Sequence, residues 1–238
     1  MFNPAGTVNT SGGAQDMQLY FVAQKNCTVV VEIPWLGYNR VYAMNANSVL
    51  TTEALPKSGQ QDARILEEGF SVKGIHITST EDIVAYAHIF NSSISGMSIL
   101  MPTKSLSDTY YSLNFLQVSN ENNSKSFAYA IASEDSTVIE IIPSVNTEKI
   151  RKGDTLRVFL NKGQVYNIFG KVNGFNGEDL TGTLIRSLAK PVQSCKKIAV
   201  FSGSGKVSIN CTQSSSSSDN LMQQCLPSST WGKRFLTS

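Results

Sequence analysis

Short runs of apolar and β-branched residues recur along the chain, and polar turn residues separate them. Residues 28–33 and 137–142 are such runs, and Asn173-Gly174 is one of the turn signals between runs. This spacing is typical of β-sandwiches and barrels, and long stretches of helical periodicity do not occur in the sequence. The pattern therefore predicts an all-β fold, with one short helix over residues 218–224 that Ser218 or Asp219 would cap.

The two halves of the chain share a series of sequence matches in the same order. Residues 21–34 match 129–143, 74–79 match 182–187, 83–87 match 198–202, 101–102 match 226–227, and 106–110 match 231–235. The series predicts two tandem, internally duplicated β-sandwich-like halves, residues 1–115 and 116–238, each of ordinary domain size. By the same comparison, the residues after Phe235 are expected to open a third segment of the same kind.

Composition and charge exclude several classes of partner. Only 16% of the residues are charged, against roughly 25% in ordinary soluble domains, and the formal net charge is +2 without any block of like charges. We therefore expect no nucleic-acid interface. No apolar run approaches the roughly 20 residues of a membrane helix, so no membrane span is expected.

The chain has four cysteines, Cys27, Cys195, Cys211 and Cys225. Their spacing lacks C-x-x-C pairs and histidine partners, so it does not favour a zinc site. Residues 197–201 and 207–209 resemble two strands around residues 202–205, which predicts a hairpin. In that hairpin Cys195 and Cys211 would face each other, and we expect a disulfide between them in an oxidising compartment. Four buried free thiols are the alternative, as a cytosolic protein would tolerate.

The search for catalytic chemistry gives no coherent set. His76 and His88 are the only histidines, each lies in a β-rich run, and no H-E-x-x-H, G-x-S-x-G or S-x-x-K motif accompanies them. Residues 203–206 lack the spacing of a phosphate-binding loop. We therefore expect no catalytic residues, no cofactor and no metal site.

Trp35 and Tyr38 are the candidate ligand-contact residues. They follow Pro34 at the end of the first predicted strand pair, and residues 144–146 of the second half offer no aromatic counterpart. Exposed aromatic side chains are the usual means of gripping a sugar or a protein partner. Because this group occurs in one repeat only, a functional role explains it better than a packing need that both repeats share.

A series of motifs in the second half carries a family resemblance. The motifs are residues 179–183, 190–192, 198–203, 219–224 and 231–233. This series resembles the N-terminal domain of IgGFc-binding proteins, in its bacterial form, and the first half fits through residues 82–86 and 100–111. The resemblance marks five structural signature positions, Asp179, Thr181, Gly182, Trp231 and Gly232.

The resemblance implies a non-catalytic extracellular binding or adhesion module within a longer secreted or cell-surface polypeptide. Its expected partners are a protein or glycan ligand and the neighbouring domains of the same chain. The first residues lack the features of a signal peptide, so we expect a fragment. Two alternatives stay open: a structural spacer without its own ligand, and a carbohydrate-active enzyme, which would need two carboxylates converging in an aromatic-lined cleft.

Overall fold

The computed structural model describes residues 15–92, 94–122, 124–189, 195–209 and 218–236. Strands make up 49% of the structure and helical turns 6%, and no helix among these residues reaches seven residues, so the all-β prediction is confirmed. The strands are β1 Asp16–Ala23, β2 Cys27–Ile33, β3 Tyr38–Met44, β4 Ser48–Thr51, β5 Gly69–Ser71, β6 His76–Ser79, β7 Ile83–Phe90, β8 Ser95–Leu100, β9 Thr109–Tyr111, β10 Ser126–Ala132, β11 Thr137–Ile142, β12 Leu156–Leu160, β13 Val165–Phe169, β14 Val172–Asn173, β15 Asn176–Gly177, β16 Leu184–Ser187, β17 Ile198–Val207 and β18 Asp219–Gln224.

Alternation of apolar and polar side chains explains the first strands. In β1 the residues Leu19 and Phe21 are buried, and in β2 Val29 and Val31 are buried, while the residues between them are at least partly exposed. Successive side chains of a strand point to opposite faces, so each strand has one face toward the core. The branched residues of β2 also favour extended backbone.

The first half contains two antiparallel sheets. Sheet A has the strand order β4-β1-β7-β8, and sheet B has the order β3-β2-β6. In sheet A, Tyr20 pairs with Thr51 on β4 and with Tyr86 on β7, and Tyr86 pairs with Ile99 on β8. In sheet B, Val31 pairs with Arg40 on β3 and with Ile77 on β6.

The second half contains two further antiparallel sheets and a small hairpin of β14 and β15. Sheet C has the order β18-β17-β10-β13-β5, and sheet D has the order β12-β11-β16-β9. Strands β5 and β9 come from residues before 115, yet they pair with β13 and β16 of the second half. Strand pairing therefore crosses the predicted boundary between residues 115 and 116, and the two halves share their sheets.

Two hydrophobic clusters form the core, and sheet C separates them. Phe127, Tyr129 and Phe201 from one face of sheet C pack with the buried residues of sheets A and B. Ala128 and Val200 from its other face pack with the buried residues of sheet D. Burial of both faces explains why β10 is apolar at nearly every position and lacks the alternation seen in β1.

Two local predictions about the end of the chain are wrong. Residues 219–224 form strand β18, not a helix, because they pair with β17 and the Asn220 side chain donates to the Ser204 and Gly205 carbonyls at 3.2 and 3.1 Å. Residues 198–207 form one strand, so the hairpin predicted around residues 202–205 does not exist. Within this strand, Gly203 serves close packing in the sheet.

Gly203 shows this packing most clearly and gives a first testable prediction. A Cβ added there would lie 2.0 Å from the Leu221 carbonyl oxygen and 2.9 Å from Cζ of Phe127. Gly203→Ala is expected to lower the free energy of unfolding by about 1–3 kcal/mol, because β18 must move away from β17. Urea denaturation of both proteins measures the difference, and equal stability would contradict the observed packing.

Candidate functional site

Trp35 lies at the tip of the hairpin that joins β2 to β3. The residues Pro34–Leu36 form a 3-10 turn, and Gly37 follows it in the left-handed conformation with φ of 62°. Glycine adopts this conformation without strain, so the chain can reverse here. The Gly37 amide donates to the Pro34 carbonyl at 3.1 Å, and the Gln61 side chain donates to the Gly37 carbonyl at 3.1 Å. The turn is therefore fixed at both ends, and 54% of Trp35 is exposed.

Tyr38 does not accompany Trp35 on the surface. It pairs with Ile33 across the hairpin, and both residues are buried in the first core cluster. The Arg40 guanidinium lies 4.7 Å from the centroid of the Tyr38 ring, and burial raises the pKa of the phenol. The prediction that Tyr38 contacts a ligand therefore conflicts with its position, because strand alternation points this side chain inward.

A polar group lies on the outer face of sheet B, next to the turn that carries Trp35. Glu32 pairs with Asn39 on one side and with His76 on the other. The Asn39 amide donates to Glu32 Oε1 at 3.0 Å, and His76 Nδ1 lies 3.4 Å from Glu32 Oε2. Glu32, Asn39 and His76 thus form one row across three strands. We call these three residues together with Trp35 the Trp35 surface.

The chemistry of the Trp35 surface suits binding. An exposed indole offers a flat apolar face for a sugar ring or an apolar side chain, and the row beside it offers a carboxylate, an amide and an imidazole. The sheet register fixes the spacing of these polar groups. The arrangement thus offers stacking and hydrogen bonding, the two contacts by which a ligand with a flat apolar face is recognised.

His88 lies on the outer face of sheet A and is held by its neighbours. Its ring stacks on Phe90 with centroids 4.5 Å apart, Nε2 lies 2.8 Å from Ser95 Oγ, and Nδ1 lies 3.3 Å from the Tyr20 hydroxyl. Burial lowers the pKa of His88, which favours the neutral ring near neutral pH.

A second polar group links β3 to the segment after β4. The Tyr42 hydroxyl donates to Glu53 Oε2 at 2.5 Å, and Arg40 Nε donates to Oε1 at 2.9 Å. The hydrogen bond from Tyr42 is the main cause that lowers the pKa of Glu53. Burial raises the pKa of Tyr42, so the hydroxyl stays protonated and remains the donor.

Two cavities of the described residues differ in chemistry. One is an apolar space of about 60 Å³ between sheets A, B and C, and its walls include Leu19, Ile77 and Phe201. The other is an open depression of about 270 Å³ in front of β5. It is lined by Arg64, Ile65, Leu66, Glu67, Phe70, Ser71 and Lys73. Only one of those residues is a carboxylate, whereas glycoside hydrolysis uses two across the cleft.

The structure does not contain the hairpin on which the predicted disulfide between Cys195 and Cys211 depends. Cys195 and Cys211 were expected to face each other across a hairpin, and that hairpin is a single strand, while Cys211 lies outside the described residues. Cys27 and Cys225 are buried free thiols. Burial raises the pKa of Cys225, so its thiol is a poor nucleophile.

Three of the signature residues, Asp179, Thr181 and Gly182, lie in a loop that hydrogen-bonds to the segment between the halves. Asp179 Oδ1 accepts hydrogen bonds from the Thr181 amide at 2.9 Å and the Thr181 hydroxyl at 2.7 Å. Thr181 Oγ1 in turn accepts from the Asn114 amide at 2.9 Å. Gly182 has φ of 84°, and its amide donates to the Ser112 carbonyl at 3.0 Å. These contacts give the three residues a structural role.

The other two signature residues lie near the end of the described chain. Trp231 is 61% exposed, and its ring contacts the Tyr111 ring with centroids 5.6 Å apart. A Cβ at Gly232 would lie 3.2 Å from Cζ of Phe235, so glycine lets that ring approach the backbone.

Sequence reasoning found Trp35 but missed its polar neighbours. The sequence pattern does not distinguish Glu32 or Asn39, and the β-rich run around His76 predicts an ordinary strand residue. Only the positions of these residues in the strands could have indicated the polar group. Glu32 occupies an outward position of a mostly apolar strand, and the short turn at Pro34 places Asn39 opposite it. The partnership with His76 depends on β6, which is 44 residues away in the chain.

Within the described ranges, no group of three or more His, Cys, Asp or Glu side chains could hold a metal ion. None of the helices in the described part of the chain is long and apolar enough to cross a membrane.

Comparison with known families gives one clear match. The family model for IgGFc binding protein matches residues 96–238, which is more than half of the chain. The chain belongs to this family. The match covers β8 except Ser95, all of β9 and the whole second half, so it includes all five signature residues.

Other comparisons add little. No curated protein matches the chain. Among solved structures, vicilin from hazelnut, Corylus avellana, is similar with 8% sequence identity and a TM-score of 0.26, over 78% of this chain and 69% of that chain. A TM-score this low carries no argument about fold or function.

Proposed function

We propose that this member of the IgGFc-binding family is a non-catalytic extracellular binding module that contacts a glycoprotein ligand through the Trp35 surface. The observation that carries the proposal is the exposed indole at a fixed hairpin tip, beside the row of Glu32, Asn39 and His76. Family membership supports a binding role, and an extracellular location and the bacterial form of the family belong to the same proposal.

The geometry favours a ligand with both an apolar face and hydroxyl or amide groups. The indole supplies stacking area, and Glu32 Oε1 and Oε2 are already oriented by Asn39 and His76. A sugar with a hydrophobic ring face and a set of hydroxyls matches this combination, as does a peptide segment with a small apolar side chain. A glycoprotein offers both.

Trp35→Ala is expected to weaken binding to a glycoprotein by roughly 30-fold or more, because an interface tryptophan removed by alanine typically costs at least 2 kcal/mol. The measurement is surface plasmon resonance on immobilised IgG Fc and on a purified mucin, each before and after enzymatic removal of its glycans. Loss of binding after deglycosylation would assign the sugar as the ligand. Binding that persists after deglycosylation would assign the protein part.

Trp231→Ala is the matched control, since Trp231 is the other tryptophan of the chain and is similarly exposed. This variant is expected to bind like the unchanged protein. If Trp35→Ala binds as well as Trp231→Ala, the Trp35 surface is not the contact site.

A structural spacer is the second candidate function. The sheets shared between the halves favour it, because β5 and β9 tie the two halves into one continuous body. A spacer needs rigidity and no ligand. Absence of binding to both probes, with and without glycans, would favour this function over the first.

A further inference from the structure

Two arginines share one buried carboxylate on the outer face of sheet D. Glu140 lies on the inner strand β11, between Arg157 of β12 and Arg186 of β16, its cross-strand neighbours. Arg157 Nε donates to Glu140 Oε2 at 2.8 Å. Arg186 donates to Glu140 Oε1 through Nε at 2.9 Å and through Nη2 at 2.6 Å. These three side chains, which we call the arginine row, carry an excess of one positive charge.

The arginine row keeps hydrogen-bond donors that Glu140 does not use. A guanidinium carries several N–H donors in a planar fork. Within the described residues, Arg157 donates only through Nε, and Nη1 of Arg186 makes no hydrogen bond. The two arginine side chains are 65% and 43% exposed, so these donors can reach a ligand. Because the buried carboxylate already holds both guanidiniums, little side-chain freedom is lost when a ligand binds.

The equivalent place in the first half is uncharged. Strand β2 pairs with β3 and β6 as β11 pairs with β12 and β16, so sheet B is the counterpart of sheet D. The sequence match between the halves puts Thr78 of β6 in the place of Arg186. Thr78 pairs with Val30, and Val30 pairs with Val41. A sheet of this architecture therefore folds without charges at this place, and sheet packing alone does not explain the arginines.

Aromatic side chains flank the arginine row on the same face. Phe159 follows Arg157 by two residues on β12, so the two side chains share a face, and Phe159 is 56% exposed. On β9, Thr109 pairs with Arg186, and Tyr111, two residues further on, is 40% exposed. Strands β12 and β16 lie about 10 Å apart, on either side of β11. The face thus combines central cations with apolar rings at both sides, over the width of a sugar ring and its substituents.

We propose that the outer face of sheet D binds a sugar acid, whose carboxylate accepts hydrogen bonds from Arg157 and Arg186. Guanidinium groups match the planar geometry of a carboxylate, and hydrogen bonds between charged groups are the strong ones. The apolar face of the sugar ring then packs on Tyr111 or Phe159. An acidic peptide would also bring carboxylates, but it loses more conformational freedom on binding than a rigid ring does. The arginine row lies on a different sheet from the Trp35 surface, so this proposal does not rest on the function proposed for that surface.

An NMR titration of the isotope-labelled protein with N-acetylneuraminic acid tests the proposal. The Nε–H signals of Arg157 and Arg186 are expected to shift along saturable curves as the sugar acid is added. The methyl ester of the same sugar keeps the ring and lacks the negative charge. It is expected to bind more weakly by roughly 10-fold or more, because the charge-assisted hydrogen bonds are lost.

Variants of the arginine row separate binding from folding. Arg157→Gln is expected to weaken binding by roughly 10-fold, because a neutral amide replaces a cation. The triple variant Arg157→Met, Arg186→Met and Glu140→Leu removes every charge of the row and is expected to abolish binding, while its amide spectrum stays that of a folded protein. Arg151→Gln is the matched control, since Arg151 is an exposed arginine of the same half outside the row. This control is expected to bind like the unchanged protein.

Several outcomes would overturn the proposal. They are an absence of saturable shifts with the sugar acid, equal affinity for its methyl ester, and unchanged binding in the triple variant. A glutamate-rich peptide that binds the arginine row when the sugar acid does not would assign a protein partner in its place. Inorganic sulfate that binds as tightly as the sugar acid would show that the row recognises charge alone and no sugar.

Discussion

Replacement of Glu68 by alanine is expected to lower the free energy of unfolding by roughly 2–5 kcal/mol, the largest effect that we expect from a single substitution. Glu68 precedes β5 and is 2% exposed. Its carboxylate accepts hydrogen bonds from Thr147 Oγ1 at 2.8 Å and from the amides of Phe169 at 3.0 Å, Glu148 at 3.1 Å and Lys149 at 3.2 Å. All four donors belong to the second half, so alanine would leave buried donors without an acceptor at the junction of the halves.

Glu67→Ala is the matched control, because the neighbouring Glu67 side chain is exposed. Urea denaturation of both variants and the unchanged protein gives the comparison. The control is expected to change stability by no more than about 0.5 kcal/mol, as surface substitutions usually do. Equal losses in the two variants would show that the bonds to Glu68 contribute nothing to joining the halves.

The pH dependence of Glu68 follows from the direction of its pKa. Burial raises the pKa of Glu68 above 4.5, against the opposing effect of its hydrogen bonds. A raised pKa in the folded state means that folding favours the protonated carboxyl. The stability from this linkage is fully present below the unfolded pKa and is lost as the pH rises through the folded pKa. Glu68→Gln cannot titrate, and its stability is expected to lack this decrease.

The duplicated pattern could be predicted from sequence because it depends on local alternation. The matches between residues 21–34 and 129–143 fall on β1 to β2 and β10 to β11, which occupy equivalent places in their sheets. The turn signal Asn173-Gly174 lies between β14 and β15, with Gly174 at φ of 61°. Such features are visible within a short window of residues.

The errors came from contacts between distant residues. Residues 219–224 contain few β-branched side chains, and what makes them a strand is pairing with β17 and burial of the Asn220 side chain. Gly203 and Gly205 suggested a turn, but neighbouring backbone and side chains explain Gly203. In the candidate site, the inward direction of Tyr38 followed from the register of the hairpin, which the sequence did not specify.

The sequence also did not predict which strands connect the two halves. Nothing in the short segments 69–71 and 109–111 shows that they pair with strands about a hundred and about seventy-five residues away.

Simultaneous replacement of Arg157 and Arg186 by methionine is expected to lower the free energy of unfolding by about 1–2 kcal/mol at pH 7, because the Glu140 carboxylate loses two hydrogen-bonded cations on the outer face of sheet D, where both arginines are largely exposed. Glu140 on β11 has a side chain that is 2% exposed, between Arg157 of β12 and Arg186 of β16. Arg157 Nε lies 2.8 Å from one carboxylate oxygen, and Arg186 Nη2 lies 2.6 Å from the other.

The sign of the pH effect is opposite to that of Glu68. The hydrogen bonds from Arg157 and then Arg186 lower the pKa of Glu140. A lowered pKa contributes stability that is present above the unfolded pKa, about 4.5, and is lost as the pH falls through the folded pKa. The stability difference between the double variant and the unchanged protein is therefore expected to shrink as the pH is lowered from 7 toward 3.

A triple variant separates the charge effect from a packing effect. Adding Glu140→Leu to the two methionine substitutions removes the carboxylate that has lost its cations and is expected to recover most of the lost stability, because replacing every member of an ion group by apolar residues is often neutral. Urea denaturation at pH 7 and at lower pH measures all three proteins. Failure of the triple variant to recover stability would mean that the arginine stems pack on sheet D and that their charges are secondary.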